Sequence, residues 1–210
     1  EFRERPEHVR HGDRDALLVW CSDHLTAYAA DNGSLLWSCG GFNPKGKKLW
    51  PPIATPVVVG DLAVVPVGRD DRKQAEVHAV RLGGKGEVTK THRVWESDDF
   101  GVFVTSPIEY EGRIYLLRHK GDVVCLDPKT GKPFWTAQLP KSLIPYYASP
   151  VIAGGIFYAS REDGVVFSAR VGKNFELLGK NDMGQQILAT PVPFDGKLLV
   201  RTSESLICVE

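Results

Sequence analysis

The most constraining feature of the chain is a short segment in which Ser or Thr precedes Pro and an apolar run follows. Four full copies of it contain Pro56, Pro107, Pro150 and Pro191, and a degraded copy begins at Pro6. Successive prolines are 50, 51, 43 and 41 residues apart. Self-similarity at such a spacing indicates a repeat architecture. We therefore predict the structure of one repeat unit and expect the other units to share it.

Each full copy continues into a Gly turn and a second apolar run, which together predict a β-hairpin. The turn glycines are Gly60, Gly112, Gly154 and Gly196. A third run holds a small residue at a fixed place, namely Ala27, Ala79, Cys125, Ser168 and Cys208. Ten residues later stand Trp37, Trp135 and Leu178, and Trp95 follows Ala79 at sixteen, after an insertion around residues 83–86. Each unit is therefore predicted to form four short antiparallel strands, A to D.

Four-stranded units of 40 to 50 residues without helical periodicity are typical of the blades of a β-propeller. A β-sandwich also has short strands, but it would not repeat in register five times. We therefore expect one all-β propeller domain over residues 1–210, with about five blades. The expected blades are residues 6–49, 50–99, 100–142, 143–185 and 186–210, and the last lacks its outer strand D.

Two segments, Leu25–Trp37 and Val123–Trp135, resemble the repeat ALD-x-x-TG-x-x-x-W of the PQQ-like β-propellers. That superfamily includes quinoprotein alcohol dehydrogenases and the outer-membrane assembly lipoprotein BamB. The resemblance implies that Trp37, Trp95 and Trp135 dock between neighbouring blades. It also implies a ring of seven or eight blades, so we expect a C-terminal portion of a longer protein, or a ring closed by an oligomer or another partner.

Charge and cysteine spacing narrow the possible functions. Twenty-six basic and 26 acidic residues cancel, so no global charge favours nucleic acid or an anionic membrane. The longest apolar run, Ala16–Cys21, is too short for a membrane span. In the PQQ enzymes of the superfamily that this chain resembles, two adjacent cysteines lie against the cofactor. This chain has no adjacent cysteines. His8 and His11 lack a third ligand nearby. We therefore expect no metal and no cofactor.

One group of residues stands out as a candidate binding site. Arginines follow strands B, and aromatic residues precede strands A, in loops that share one face of a propeller. The candidates are Arg69, Arg118, Arg161, Arg201, Trp50, Phe103, Tyr146, Tyr147 and Lys48. Such a face can bind an anionic or carbohydrate-like ligand, or a peptide. Alternatively, each Arg pairs with a nearby acid such as Glu162, Asp163, Asp122 or Glu204.

The preferred hypothesis is a non-catalytic binding or scaffolding propeller that presents one loop face to a protein or surface ligand. By resemblance it is expected to be periplasmic or secreted, although no signal peptide is visible in this chain. The first alternative is a fragment of a PQQ-dependent quinoprotein dehydrogenase whose active-site blades lie elsewhere; only this alternative calls for PQQ and calcium. The second is part of a polysaccharide-handling enzyme, which would need a pair of carboxylates in a cleft.

Overall fold

The computed structural model describes residues 7–21, 23–43, 46 and 51–210. These residues form five antiparallel sheets arranged in chain order, which confirms the predicted all-β propeller. Pro6, Lys48 and Trp50, which the sequence singled out, lie outside the described residues. Within the described part of the chain, no helix has the length and apolar composition needed to cross a bilayer.

The first two sheets are connected by an insertion in the second unit. The first sheet contains β1 (Glu7–His11), β2 (Arg14–Cys21), β3 (His24–Ala29) and β4 (Leu35–Cys39). The second contains β5 (Val57–Val59), β6 (Leu62–Arg69), β7 (Gln74–Arg81) and β9 (Arg93–Ser97). A 3-10 turn (Asp70–Arg72) follows β6, and β8 (Gly86–Glu87) and the helix α1 (Thr89–His92) precede β9. Strand β8 pairs in parallel with β4, so the predicted insertion adds an edge strand to the first sheet.

The remaining sheets repeat the pattern without insertions. The third contains β10 (Ile108–Tyr110), β11 (Arg113–Leu117), β12 (Asp122–Leu126) and β13 (Pro133–Gln138). The fourth contains β14 (Val151–Ala153), β15 (Ile156–Ser160), β16 (Val165–Arg170) and β17 (Glu176–Asp182). The fifth contains β18 (Val192–Phe194), β19 (Lys197–Arg201) and β20 (Leu206–Val209). The A strands begin directly after the repeated prolines, where the missing Pro N–H costs no ladder bond.

Consecutive sheets pack face to face, with an apolar cluster between each pair. Val65 of the second sheet packs with Leu18 of the first, and Ile114 of the third packs with Val64 of the second. The clusters between the third and fourth sheets and between the fourth and fifth contain Phe157 and Val200, respectively. This serial burial between consecutive sheets is the packing of propeller blades.

The small residue that recurs in strand C of each unit lies beside a β-bulge in the first four sheets. The register between strands C and D shifts directly after Ala27, Ala79, Cys125 and Ser168. Trp37, Trp95 and Trp135 pair with the first three of these residues. In the fourth sheet, however, Gly179 and not Leu178 lies opposite Ser168, because the preceding turn is one residue longer.

The residue before each repeated proline links neighbouring sheets around the propeller axis. The backbone N–H of Thr55 donates to Ser106 Oγ at 3.0 Å, and that of Ser106 donates to Ser149 Oγ at 2.9 Å. The N–H of Ser149 donates in turn to Thr190 Oγ1 at 3.2 Å. The Ser/Thr-Pro step is therefore explained by an inter-blade hydrogen-bond ladder, in which the hydroxyl satisfies a backbone donor that has no strand partner.

Candidate functional site: the loop face

The B–C turns and the D–A loops lie together on one side of the propeller, which we call the loop face. Backbone hydrogen bonds connect the two sets of loops. Tyr146 N donates to His119 O at 3.1 Å, and Glu162 N donates to Pro145 O at 3.0 Å. Ser203 N donates to Gln186 O at 2.9 Å in the same way. These bonds hold the candidate side chains on a rigid rim.

Arg69 at the end of β6 joins an acid and an aromatic ring. Its guanidinium makes two hydrogen bonds to Asp71, at 3.0 and 2.7 Å, and lies 4.1 Å from the centre of the Phe103 ring. The Arg69 guanidinium lowers the pKa of Asp71, and the bond raises the pKa of Arg69. Both groups stay charged at neutral pH, so this part of the rim is an ion pair without net charge. Its guanidinium also makes a cation–π contact with the Phe103 ring.

Asp70, which directly follows Arg69, is buried: its side chain is only 4% exposed. Its Oδ2 accepts the backbone N–H of His119 at 2.7 Å and lies 3.8 Å from Nε of Arg118. Burial raises the pKa of Asp70. The Asp70 side chain thus bridges the B–C turns of the second and third sheets.

Three aromatic rings lie in a row beside this bridge, and neighbouring rings are steeply tilted to one another. The His119 ring lies 6.2 Å from Phe103 and 5.4 Å from Tyr147, measured between ring centres. All three side chains come from different loops of the second, third and fourth sheets. Together with Arg69 and Arg118 they form a guanidinium–aromatic patch. This patch contains four of the predicted site residues, Arg69, Arg118, Phe103 and Tyr147.

The other candidates are distributed differently. Arg161 makes two 2.9 Å hydrogen bonds to Asp163, and Arg201 donates to the carbonyl oxygen of Thr202 at 2.7 Å within its own turn. Tyr146 is 1% exposed and packs 6.3 Å from Phe167 in the core, where burial raises its pKa to about 12. Tyr146 therefore does not reach the surface, because its neighbour Tyr147 takes the outward position.

Exposed aliphatic side chains on the same face were missed from the sequence. Leu143 is fully exposed, and Ile144 and Leu188 are 38% and 55% exposed, on the two D–A loops that flank the fourth sheet. Lys120 and Lys141 line a hollow of about 430 Å³ beside Leu143. The available signal was the apolar pair Leu143-Ile144 directly after Lys141 and Ser142 in this connection.

A cavity of about 240 Å³ lies at the axis, where the hydroxyl ladder meets Trp20 and Tyr147. Calcium in a PQQ site needs carboxylate oxygens, and none of the described residues that line this cavity carries one. The residues here therefore do not fit PQQ with calcium. Over the described residues, no group of three His, Cys, Asp or Glu side chains is placed to hold a metal ion.

Comparison with known proteins places this geometry in a family. BamB from Moraxella catarrhalis superposes with a TM-score of 0.67 at 13% identity, over 94% of this chain and 57% of that one. The quinohemoprotein alcohol dehydrogenase ADHIIG from Pseudomonas putida HK5 gives 0.63 at 12%, over 92% and 38%. The WD40 propeller domain of Doa1 gives 0.64 at 13%, over 96% and 62%. These identities show a shared fold alone.

This chain thus spans little more than half the length of the BamB structure. No curated protein matches it. A family profile does match: the one described as outer membrane protein assembly factor BamB covers residues 22–177, which is 156 of the 210 residues. The chain therefore belongs to the BamB family of PQQ-like β-propellers.

Proposed function

We propose that this propeller is a non-catalytic binding module whose loop face contacts a protein partner. The observation that carries the proposal is the exposure of Leu143, Ile144 and Leu188 on two successive D–A loops of that face. Leu143 lies beside Lys120 and Lys141. Aliphatic side chains surrounded by charge are typical of protein contact surfaces, since a solvated loop gains nothing from exposing them.

The guanidinium–aromatic patch supports the same role. Two hydrogen bonds to Asp71 hold Arg69, so its guanidinium enters a complex already positioned and with little loss of side-chain entropy. Arg118 lies at ion-pair distance from Asp70. Because their charge is largely compensated, the patch suits a polar or aromatic peptide surface better than a free anion. The net attraction for acid comes from Lys120, Lys141 and Arg201 at the rim.

The family description supports a protein partner and an exported location, since the matched profile is that of an outer membrane protein assembly factor. The runner-up function, a portion of a quinoprotein dehydrogenase, is favoured only by the fold shared with ADHIIG.

The proposal is tested by the double variant Leu143→Asp with Leu188→Asp. Both side chains are exposed, so the thermal midpoint should stay within about 1 °C while retention of partner proteins from an extract of the source organism falls at least tenfold. Leu177→Asp on the outer strand β17 is the matched control, because Leu177 is 43% exposed away from the loop face. Equal retention by the double variant and the wild type would contradict a loop-face contact.

A further inference from the structure

A second cavity, of about 500 Å³, lies between the fourth and fifth sheets, away from the loop face. One wall consists of Ala153, Tyr158 and Ser168 of the fourth sheet, and Phe194 and Leu198 of the fifth sheet form the other. Gly179 pairs with Ser168 here, at the position where Trp stands in the first three sheets. Among the four described D strands, Gly179 is the only residue at this position without a side chain. The cavity is lined by its partner Ser168.

The interface between the third and fourth sheets shows what normally fills this place. There Trp135 packs with ring centres 5.8 Å from both Tyr115 and Phe175, and its Nε1 donates to Gly172 O at 3.0 Å. Tyr115 pairs with Ile108 as Tyr158 pairs with Val151, so the two tyrosines are equivalent.

By the same register, Ala153 takes the place of Tyr110. Gly for Trp and Ala for Tyr remove two aromatic rings from equivalent positions. Both changes reduce the side-chain volume on the face of the fourth sheet that lines the cavity.

The backbone does not require glycine at this position. The φ angle of Gly179 lies outside the left-handed region, and a Cβ added there would meet only Ser168 Oγ, at an ordinary contact distance of 3.8 Å. The cavity is thus a property of the side-chain choice and not a by-product of a strained turn. Its size falls in the range of small-molecule sites.

We propose that this cavity binds a small planar aromatic molecule of indole size. Tyr158, the equivalent of Tyr115, supplies one apolar wall, and Phe194 and Leu198 of the fifth sheet supply the other. Ser168 and Asn181 add polar side chains to the lining, which a ring N–H or hydroxyl can use. The site is separate from the loop face, so it does not depend on the proposed function.

Titration of the ¹⁵N-labelled protein with indole tests this site. Saturable chemical-shift changes are expected for the residues that line the cavity, and not for Tyr147 or His119 on the loop face. Gly179→Trp supplies the missing indole from within, and Ala153→Tyr restores the second ring. Each is expected to weaken indole binding at least tenfold.

Two controls separate filling from damage: Gly179→Ala leaves the cavity open, and Leu178→Trp adds an indole at an exposed neighbouring position. Both should bind indole as the wild type does. Absence of saturable shifts in the wild type, or unchanged affinity in the folded Gly179→Trp and Ala153→Tyr proteins, would overturn the proposal.

Discussion

The indole nitrogen of Trp95, on the second sheet, donates a 2.7 Å hydrogen bond to the carbonyl oxygen of Pro128 in the third. The same ring lies against Gly131, where an added Cβ would approach the ring carbons to 2.6 Å. The Thr-Gly and Trp of the repeat thus meet across a blade interface. Trp135 makes the corresponding contact with Gly172 of the fourth sheet.

Gly131 and Gly33 separate two reasons for a glycine in the turn between strands C and D: the left-handed backbone conformation and the close approach of a Trp ring. Both have a φ of +69°, but the space around Gly33 is open within 4 Å. Gly33→Ala should therefore lose only the left-handed backbone cost, about 1–2 kcal/mol of unfolding free energy. Gly131→Ala should lose a further ~1–3 kcal/mol because the methyl group displaces Trp95. Urea unfolding of both variants gives the comparison, and equal losses would contradict the docking contact.

Ser149 tests the hydroxyl ladder around the axis. In Ser149→Ala the backbone N–H of Ser106 loses its acceptor, so the unfolding free energy should fall by about 1–3 kcal/mol. Ser149→Thr keeps the oxygen and matches Thr55 and Thr190 of the same column, so it should stay within about 0.5 kcal/mol of wild type. Chemical denaturation distinguishes these outcomes; a neutral Ser149→Ala would show that the ladder does not stabilise the fold.

His78 predicts how stability depends on pH. Burial lowers its pKa to about 4, and Nδ1 accepts from Nη1 of Arg93 at 2.9 Å. The carboxylates of Glu76 and Glu96 lie 3.3 and 3.6 Å from the two ring nitrogens. Between pH 6.5 and 4 the unfolded imidazole binds a proton that the folded one refuses. The contribution of His78 to the free energy of unfolding is therefore fully present above pH 6.5. It falls by on the order of 3 kcal/mol as the pH drops towards 4.

The contribution of His78 is isolated by His78→Gln, which keeps a polar side chain but cannot titrate. Buried Asp70 has a raised pKa, so it opposes the trend slightly in both proteins and cancels in their difference. Urea unfolding at several pH values should give a steeper loss for wild type than for His78→Gln below pH 6.5. Parallel curves for the two proteins would show that the imidazole is protonated in the fold.

The sequence was sufficient for features set by short-range chemistry. The repeated prolines and the turn glycines predicted the strands, because each reflects a local backbone requirement. The Ser or Thr before each of these prolines marked the repeat, but its role in the hydrogen-bond ladder between blades became visible only in the structure. Contacts between distant loops could not be read in this way. The burial of Asp70 depends on His119, 49 residues away, and the choice of Tyr147 over Tyr146 as the outward ring depends on sheet packing.

Length differences between repeats caused the remaining departures. One extra residue in the turn before β17 moved Gly179 into the position expected for Leu178. The insertion in the second unit could be located from its glycines, yet its pairing with β4 could not be predicted. That pairing depends on Thr89, whose Oγ1 accepts the N–H of Gly40 at 2.6 Å across two units.

Site-specific photocrosslinking tests the binding role of the loop face most directly. A benzophenone side chain replaces Leu143, Leu188 or, as the outer-strand control, Leu177, and the protein is irradiated in its own cells. The account predicts that Leu143 and Leu188 crosslink to the same protein and that Leu177 does not. Crosslinking of that protein through Leu177 alone, or none through either loop-face position, would contradict it.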